Sequence, residues 1–595
     1  MRSVVLAVFL LAAAAPPGPA PPAPRRAVTD EYDGVKIVDE YRWLENGEDP
    51  EVKAWMDAQN ERARGYLSGL ARAKETEARV KALIGATPPE YYAMVARVGR
   101  LFAIKFQPPK QQPFLVLLTS PDDTSSERTL VDPNAIDAKG TTAIDFYRPS
   151  LDGRKVAVPL SRNGSEEGDV HVYDVETGRE VGDSVPRVNG GTAGGALAWN
   201  ADATGFWYSR YPRGNERPAA DMAFYTQVWF HTLGRKTGDD VYCLGKEFPR
   251  IAEIGLDTSD DGKHVLVRVA NGDGGEFAYW LRGPDGTWAQ FARYEDKVIH
   301  AAFGGDGKLY LLSRRSAPNG KVLRLDPGSP DLSKAATVVE TSPDASLESM
   351  AATRSRLYVV ELVGGPSRLR VFDLEKGGLK VFSPLNRIWL ERGGVYAIAN
   401  LRGGGEYGEE WHLAGRLTKK QNVFDDYYAC GAWLVEHGYT SHEKLALMGG
   451  SNAGLLMGAT LTQHPDLARA VVSYVGLYDM LRVERHPNGA FNVTEFGTVK
   501  DREQWKALYA YSPYHHVVNG TKYPAVLLTT GVNDPRVDPA NSRKMTARLQ
   551  AASGPAAPVL LRVTQAGHGI GSSLDEEMAE QSDVFAFLFD QLGMN

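Results

Sequence analysis

Between Tyr147 and Val360 one short pattern keeps returning: an apolar residue, a turn built on Asp and Gly, then a hydrophobic run. It reads Tyr147…Asp152-Gly153…Val156-Ala157-Val158, then Trp199…Asp202…Gly205-Phe206-Trp207-Tyr208, then Leu256…Asp261-Gly262…Val265-Leu266-Val267. Two further copies are Phe303…Asp306-Gly307…Leu309-Tyr310-Leu311 and Met350…Arg356-Leu357-Tyr358-Val359-Val360. The turns recur at about 45 to 60 residues, the period of four-stranded propeller blades, which bury their faces only against neighbours. Two β-sandwiches with coincidental spacing are the competing reading. Helical periodicity is nearly absent from Tyr91 to Phe382, and that stretch has room for about six or seven blades. The 61 glycines suit so turn-rich an architecture, and 595 residues exceed one ordinary core, so a second domain is expected.

After Ser383 the texture changes. Apolar runs at 395–401, 445–448, 470–475, 525–530 and 559–563 alternate with helical stretches at 424–437 and 578–592. Buried strands separated by helices predict a mostly parallel sheet covered on both faces, an α/β architecture. Residues 30–70 read as helical, with Trp43, Leu44, Val52, Trp55 and Met56 apolar. The expected division is 1–27 as signal peptide and tether, 28–77 as an N-terminal segment, 78–382 as propeller and 383–595 as the α/β domain.

The first residues read as an address. Arg2 precedes an apolar run at 4–15, small residues at Ala12–Ala15 offer a cleavage site, and 16–24 is a Pro/Ala tether. The run is short for a membrane span, although an uncleaved anchor is the alternative. Export to the periplasm or medium is the expectation, with no membrane contact beyond the signal. Net charge is −7 and no Lys/Arg-rich run occurs, which argues against nucleic acid as a partner. Cys243 and Cys430 fall in different predicted domains, so two buried free thiols are expected and no disulfide framework.

The segment Leu445-Ala446-Leu447-Met448-Gly449-Gly450-Ser451-Asn452-Ala453-Gly454 carries chemistry. A hydrophobic strand entering a Gly-rich turn and then a helix is the layout that lifts a serine onto a strained turn. The last glycine of Gly-x-Ser-x-Gly is replaced by Ala453. A serine hydroxyl needs a histidine to take its proton, and the histidine needs a carboxylate to fix its tautomer. Asp534 follows the run at 525–530, and His568 follows the run at 559–563. Ser451, Asp534 and His568 are therefore predicted at the C-terminal edge of one sheet, where such folds place their sites. His515-His516 reads as structural, since adjacent side chains diverge, and Arg402-Gly403-Gly404-Gly405 lacks the Lys-Ser/Thr of a phosphate loop.

Several pieces together resemble the prolyl oligopeptidase family over nearly the whole chain. They are Tyr41-Arg42-Trp43-Leu44-Glu45, Ala58-Gln59-Asn60, Asn400-Leu401-Arg402-Gly403-Gly404-Gly405-Glu406-Tyr407-Gly408, Gly449-Gly450-Ser451-Asn452, Ser512-Pro513-Tyr514, Asn533-Asp534-Pro535-Arg536-Val537 and Ala566-Gly567-His568-Gly569. The resemblance implies a seven-bladed propeller over an α/β-hydrolase domain that the N-terminal segment completes. It implies Ser451, Asp534 and His568 as catalytic triad, with Tyr407 and the Asn452 N–H as oxyanion donors. Arg536 would bind a substrate carbonyl, and Val537 and Leu477 would line the pocket. The implied activity is cleavage of short peptides after proline by a monomer, without metal or organic cofactor.

Two departures stand out. Where the family stacks a tryptophan on the substrate proline, ungapped counting places Asn492, with Phe491 and Phe496 nearby as an aromatic wall. Proline preference should therefore relax towards alanine. The junction at Glu375–Ser383 is also short by about sixty residues against the family, which predicts a hydrolase sheet of five or six strands with a bare edge, 395–401 lying outermost. An acylaminoacyl- or dipeptidyl-peptidase-like enzyme, an esterase, and a catalytically silent peptide-binding protein are the alternatives on the same fold.

Overall fold

The computed structural model describes residues 17–340, 345–352, 356–363, 367–372, 384–553, 557–569 and 571–594. The apolar run at 4–15 and the junction at 375–383 lie outside the described residues.

The recurrent turn owes its regularity to a local hydrogen bond. The carboxylate of Asp152 accepts the N–H of Arg154 (3.0 Å), Asp202 that of Thr204 (3.2 Å), Asp261 that of Lys263 (3.1 Å) and Asp306 that of Lys308 (3.1 Å). The next residue takes positive φ, as at Gly153, Gly262 and Gly307, which glycine adopts without steric cost. Each turn joins the first two strands of an antiparallel sheet. Among the described residues there are six such sheets, opening at Glu90–Arg97, Thr142–Ile144, Leu197–Trp199, Ala252–Thr258, Val298–Phe303 and Ser346–Ala352. The sixth holds three described strands and ends at Phe372. Six blades replace the seven that the family resemblance implied. Neighbouring blades share cores, such as Trp207 and Val228 of the third with Leu256 and Val267 of the fourth.

The N-terminal segment folds with the other domain. A hairpin (Val28–Tyr32 with Val35–Asp39) leads to helices α1 (Pro50–Gly69) and α2 (Ala73–Gly85), so the helical part continues past 77 and the first blade starts at Glu90. It is tied down by a buried ionic cluster. Lys544 Nζ donates to Asp39 (2.6 Å), Asp479 (2.5 Å) and Glu45 (2.9 Å), and Tyr514 donates to Asp39 (2.6 Å). Burial alone would push the Asp39 carboxyl up, but Lys544 and the donors beside it hold it well below its ordinary range.

The hydrolase core is a parallel sheet between helices. In chain order it comprises α3 (Gln421–Glu436), β1 (Ala446–Gly450), α4 (Asn452–Gln463), β2 (Ala470–Tyr474), α5 (Gly489–Phe496), β3 (Ala525–Gly531), α6 (Ala540–Ala552), β4 (Val559–Thr564) and α7 (Leu574–Leu592). The strands pair in the order β1-β2-β3-β4, all parallel. Four strands are thus described, one fewer than the sequence runs suggest. Residues 395–401 form no strand. The Trp389 indole N–H donates to the carbonyl of Val395 (3.0 Å), and the side chains of Val395 (71% exposed) and Ile398 (78%) stand open to solvent. Among the described residues the open edge of the sheet is β1 itself, the strand leading to Ser451. Beside it lies a groove of about 1030 Å³ lined by residues 395–399, Met448, Trp433 and Tyr439 among others. Cys243 and Cys430 are free, and half-buried instead of buried.

Candidate active site

Ser451 stands between β1 and α4 with φ +56° and ψ −119°, a strained conformation for a residue with a side chain. Close packing explains the flanking glycines. A Cβ on Gly449 would meet the carbonyl of Ala453 at 2.6 Å, and one on Gly454 would meet Cα of Gly476 at 2.5 Å. The helix–strand approach thus falls on Gly454, and Ala453 is accommodated. The Ser451 N–H is fixed by the Tyr474 carbonyl (2.9 Å). Asn452 begins α4, so its N–H is among the first helical amides, which have no intrahelical acceptor.

The loops after β3 and β4 bring the other two residues to the same edge. His568 Nδ1 lies 2.7 Å from Asp534 Oδ2, and Asp534 Oδ1 accepts the N–H groups of Arg536 and Val537, both at 2.9 Å. With its side chain buried and three donors around it, Asp534 is built to hold an imidazole in one tautomer. A Cβ on Gly531 would lie 2.4 Å from the carbonyls of Ala566 and Gly567, so the two loops are pressed together.

Tyr407 is half exposed, with its ring edge-on to Trp411 at 4.9 Å. Its loop is held by ion pairs in place of strand pairing. Arg402 grips Asp426 (2.5 and 2.8 Å), Arg314 of the fifth blade pairs with Glu409, and His412 and Lys420 converge on Glu495 of α5 (3.3 and 2.8 Å). Burial alone would raise the Glu495 carboxyl, but the His412 bond and the Lys420 charge hold it at about 2.

The propeller closes directly on this edge. A Cβ on Gly567 would be 2.0 Å from the carbonyl of Gly164, and one on Gly191 would strike Pro535 at 2.5 Å. Arg536 donates Nε and Nη2 to Glu166 of the second blade (3.0 and 2.6 Å). Asn492 donates to Asp273 of the fourth blade (2.8 Å). The predicted aromatic wall is placed otherwise. Phe491 is buried in a stack on Phe224 of the propeller (5.4 Å), and Phe496 is buried in the hydrolase core beneath Lys420. Val537 and Leu477 are buried in that same core. His516 bonds the Tyr509 carbonyl (2.7 Å) and His515 the Ser512 hydroxyl (2.9 Å), in keeping with structural roles. Asp39, Glu45 and Asp479 come close enough together to suggest a cation site, but the Lys544 ammonium fills their centre. Sequence reasoning missed Glu166, Asp273 and Gly164, which have no local pattern and matter only through contacts with the other domain.

A strained serine after the first strand, an Asp–His pair after the third and fourth, and a propeller over all of them define a serine peptidase on an α/β-hydrolase core. The family model for the prolyl oligopeptidase N-terminal beta-propeller domain matches residues 21–393, and that for the prolyl oligopeptidase family matches 381–595. The chain belongs to the prolyl oligopeptidase family. A prolyl endopeptidase of Elizabethkingia meningoseptica is 29% identical over 677 positions, covering 95% of this chain and 94% of that one. That alignment is longer than this chain, so the relative carries stretches with no counterpart here. A prolyl endopeptidase of Dictyostelium discoideum is 43% identical over 211 residues, 35% of this chain and 28% of the relative. A solved prolyl endopeptidase structure superimposes with TM-score 0.89 at 29% identity, covering 97% of this chain and 100% of that one.

Proposed function

We propose that this peptidase cleaves short peptides on the carboxyl side of proline, and also of alanine, through an acyl-enzyme on Ser451. The observation that carries the reading is the 2.7 Å Asp534–His568 pair at the sheet edge where the strained turn presents Ser451. Ser451 Oγ attacks the scissile carbonyl while His568 takes its proton. The tetrahedral oxyanion receives the Asn452 N–H and the Tyr407 hydroxyl. His568 then protonates the leaving amine, the C–N bond breaks, and water attacks the acyl-enzyme by the same route in reverse. Arg536, held by Glu166, is the donor for a substrate carbonyl, while Val537 and Leu477 back the pocket from the core. Asn492 offers no aromatic face to a proline ring, which supports a relaxed choice between proline and alanine.

The propeller over the site limits entry to short, unfolded chains. The enzyme acts as a monomer without a cofactor, and the apolar run at 4–15 directs its export. N-terminal sequencing of protein recovered from the periplasm or medium tests that last point.

A fluorophosphonate probe and a pair of blocked reporters, Z-Gly-Pro and Z-Gly-Ala, test the chemistry. Labelling should vanish in Ser451→Ala while the fold persists, and alanine should lag proline by no more than about tenfold. Labelling that survives Ser451→Ala overturns the nucleophile. A proline preference in the thousands overturns the relaxed pocket.

A further inference from the structure

The loop that carries the base has little stiffness of its own. Around His568 it reads Gly567-His568-Gly569-Ile570-Gly571, with positive φ at Gly569 (+101°) and Gly571 (+77°). Glycine gives up more backbone freedom on folding than any other residue, so such a loop stays only where it is held. Its upstream limb is held within the hydrolase domain. The Asn533 side chain donates to the Gln565 carbonyl (2.8 Å), and the Asn533 N–H donates to that of Ala566 (3.1 Å).

The downstream limb is held by the propeller. Gln111 and Gln112 lie in the loop joining strands Arg100–Phe106 and Phe114–Leu118 of the first blade. The Gln112 side chain is buried, and its Nε2 donates to the carbonyls of Gly571 (3.0 Å) and Ser572 (3.2 Å), and to that of Gly140 (2.7 Å) on the propeller itself. Among the described residues, no other hydrogen bond reaches the backbone of 571 and 572. Gln111 takes the next two N–H groups, Leu574 donating to its carbonyl (3.2 Å) and Asp575 to its Oε1 (3.1 Å). Both open α7, where no acceptor exists within the helix. Gln112 is in turn fixed from behind. Asn134 accepts its N–H (2.9 Å) and donates to its carbonyl (2.9 Å), and Asp132 accepts the Asn134 N–H (3.0 Å).

We propose that Gln112 is a positioning residue for the reaction, supplied by the propeller, which fixes the downstream limb of the base loop and with it the aim of the His568 imidazole towards Ser451. The inference rests on His568 being the general base. Asp534 sets the tautomer of the ring, and Gln112 sets where the ring stands. A base must lie within hydrogen-bond reach of the proton it takes, and a displacement of about 1 Å at a reacting group can cost about 10²-fold.

The test uses Gln112→Met, which keeps the length and loses both donors, and Gln112→Glu, whose carboxyl donates only when protonated. For Gln112→Met, kcat on Z-Gly-Pro and the rate constant of fluorophosphonate labelling should fall about tenfold or more, while KM stays within about twofold and labelling still runs to completion. A merely structural role would lower the labelled fraction and the unfolding midpoint, and leave the rate at each folded site alone. For Gln112→Glu, kcat/KM relative to wild type at the same pH should rise as pH falls from about 8 to about 5, since protonation restores one donor; Gln112→Met should show no such trend. An unchanged labelling rate in Gln112→Met, or a loss confined to KM or to the labelled fraction, overturns the proposal. If Gln112→Met does not fold, a flat ratio for Gln112→Glu overturns it alone. Failure of the site reading looks different: labelling that survives His568→Ala at full rate removes the base, and this inference with it.

Discussion

The hydrolase sheet has two edges, and they are finished in different ways. At β4 the outward backbone groups meet side chains. The Val563 N–H is taken by Asn60 of α1 (3.0 Å), and the Val559 carbonyl by Arg62 (2.9 Å) and Gln550 (3.1 Å). At β1 the described residues pair with β2 alone, Met448 is 43% exposed, and an apolar groove runs alongside. The covered edge is sealed by short-range hydrogen bonds from a docked helix. At the open edge the Tyr407 loop hangs on ion pairs. Hydrogen bonds of the first kind persist across pH and salt, whereas ion pairs are screened by salt and titrate. The difference places the sensitivity of the enzyme at the nucleophile's own strand.

Undocking the covered edge should give the largest effect. Lys544→Ala leaves Asp479 without its ammonium partner and Asp39 with Arg42 alone, both buried beneath the N-terminal segment, at a cost of about 3–5 kcal/mol. Urea unfolding, with limited proteolysis releasing the segment, checks this, and a loss below about 1 kcal/mol would mean the cluster does not hold α1 in place. Uncapping β4 directly by Asn60→Ala strands a buried N–H and should cost about 1–3 kcal/mol by the same measurement.

Acid should act on the other side. Glu495 has its carboxyl lowered from 4.5 to about 2 in the folded protein, so its contribution is full above pH 4.5 and is lost as pH falls from there towards 2. Glu495→Gln should remove that part of the pH dependence and loosen the Tyr407 loop, seen as a fall in kcat before global unfolding. Identical stability–pH curves for variant and wild type between pH 4.5 and 2 would contradict the assignment. The smallest change in stability belongs to the open edge. Ile398→Lys should leave the unfolding midpoint within about 0.5 kcal/mol but slow aggregation on warming, read by light scattering. Unaltered aggregation would show that the groove beside β1 is not where copies meet.

Much of the architecture was legible from residues close together in the chain. The Asp-Gly turns announced the blades because an aspartate bonding the N–H two residues on, followed by a positive φ, is a local event. Gly449-Gly450-Ser451 announced the strained turn for the same reason, and the order Ser451, Asp534, His568 followed from strands that could each be read separately. The segment at 395–401 misled, because an apolar run states only a preference, and here the chain runs past the open edge of β1 without pairing to it. Among the described residues six blades stand where the resemblance implied seven, since likeness at a few motifs carries no count of the blades between them.

What the sequence by itself determined, then, is the two-domain plan, the strained serine and its partners at one sheet edge. Only the tertiary structure decided how the site is completed. Glu166 meets Arg536 across 370 positions and Asp273 meets Asn492 across 219. The nucleophile strand also becomes the open edge, because among the described residues only β2 pairs with it. Such contacts depend on how whole domains settle against one another, and no spacing within a single element encodes that.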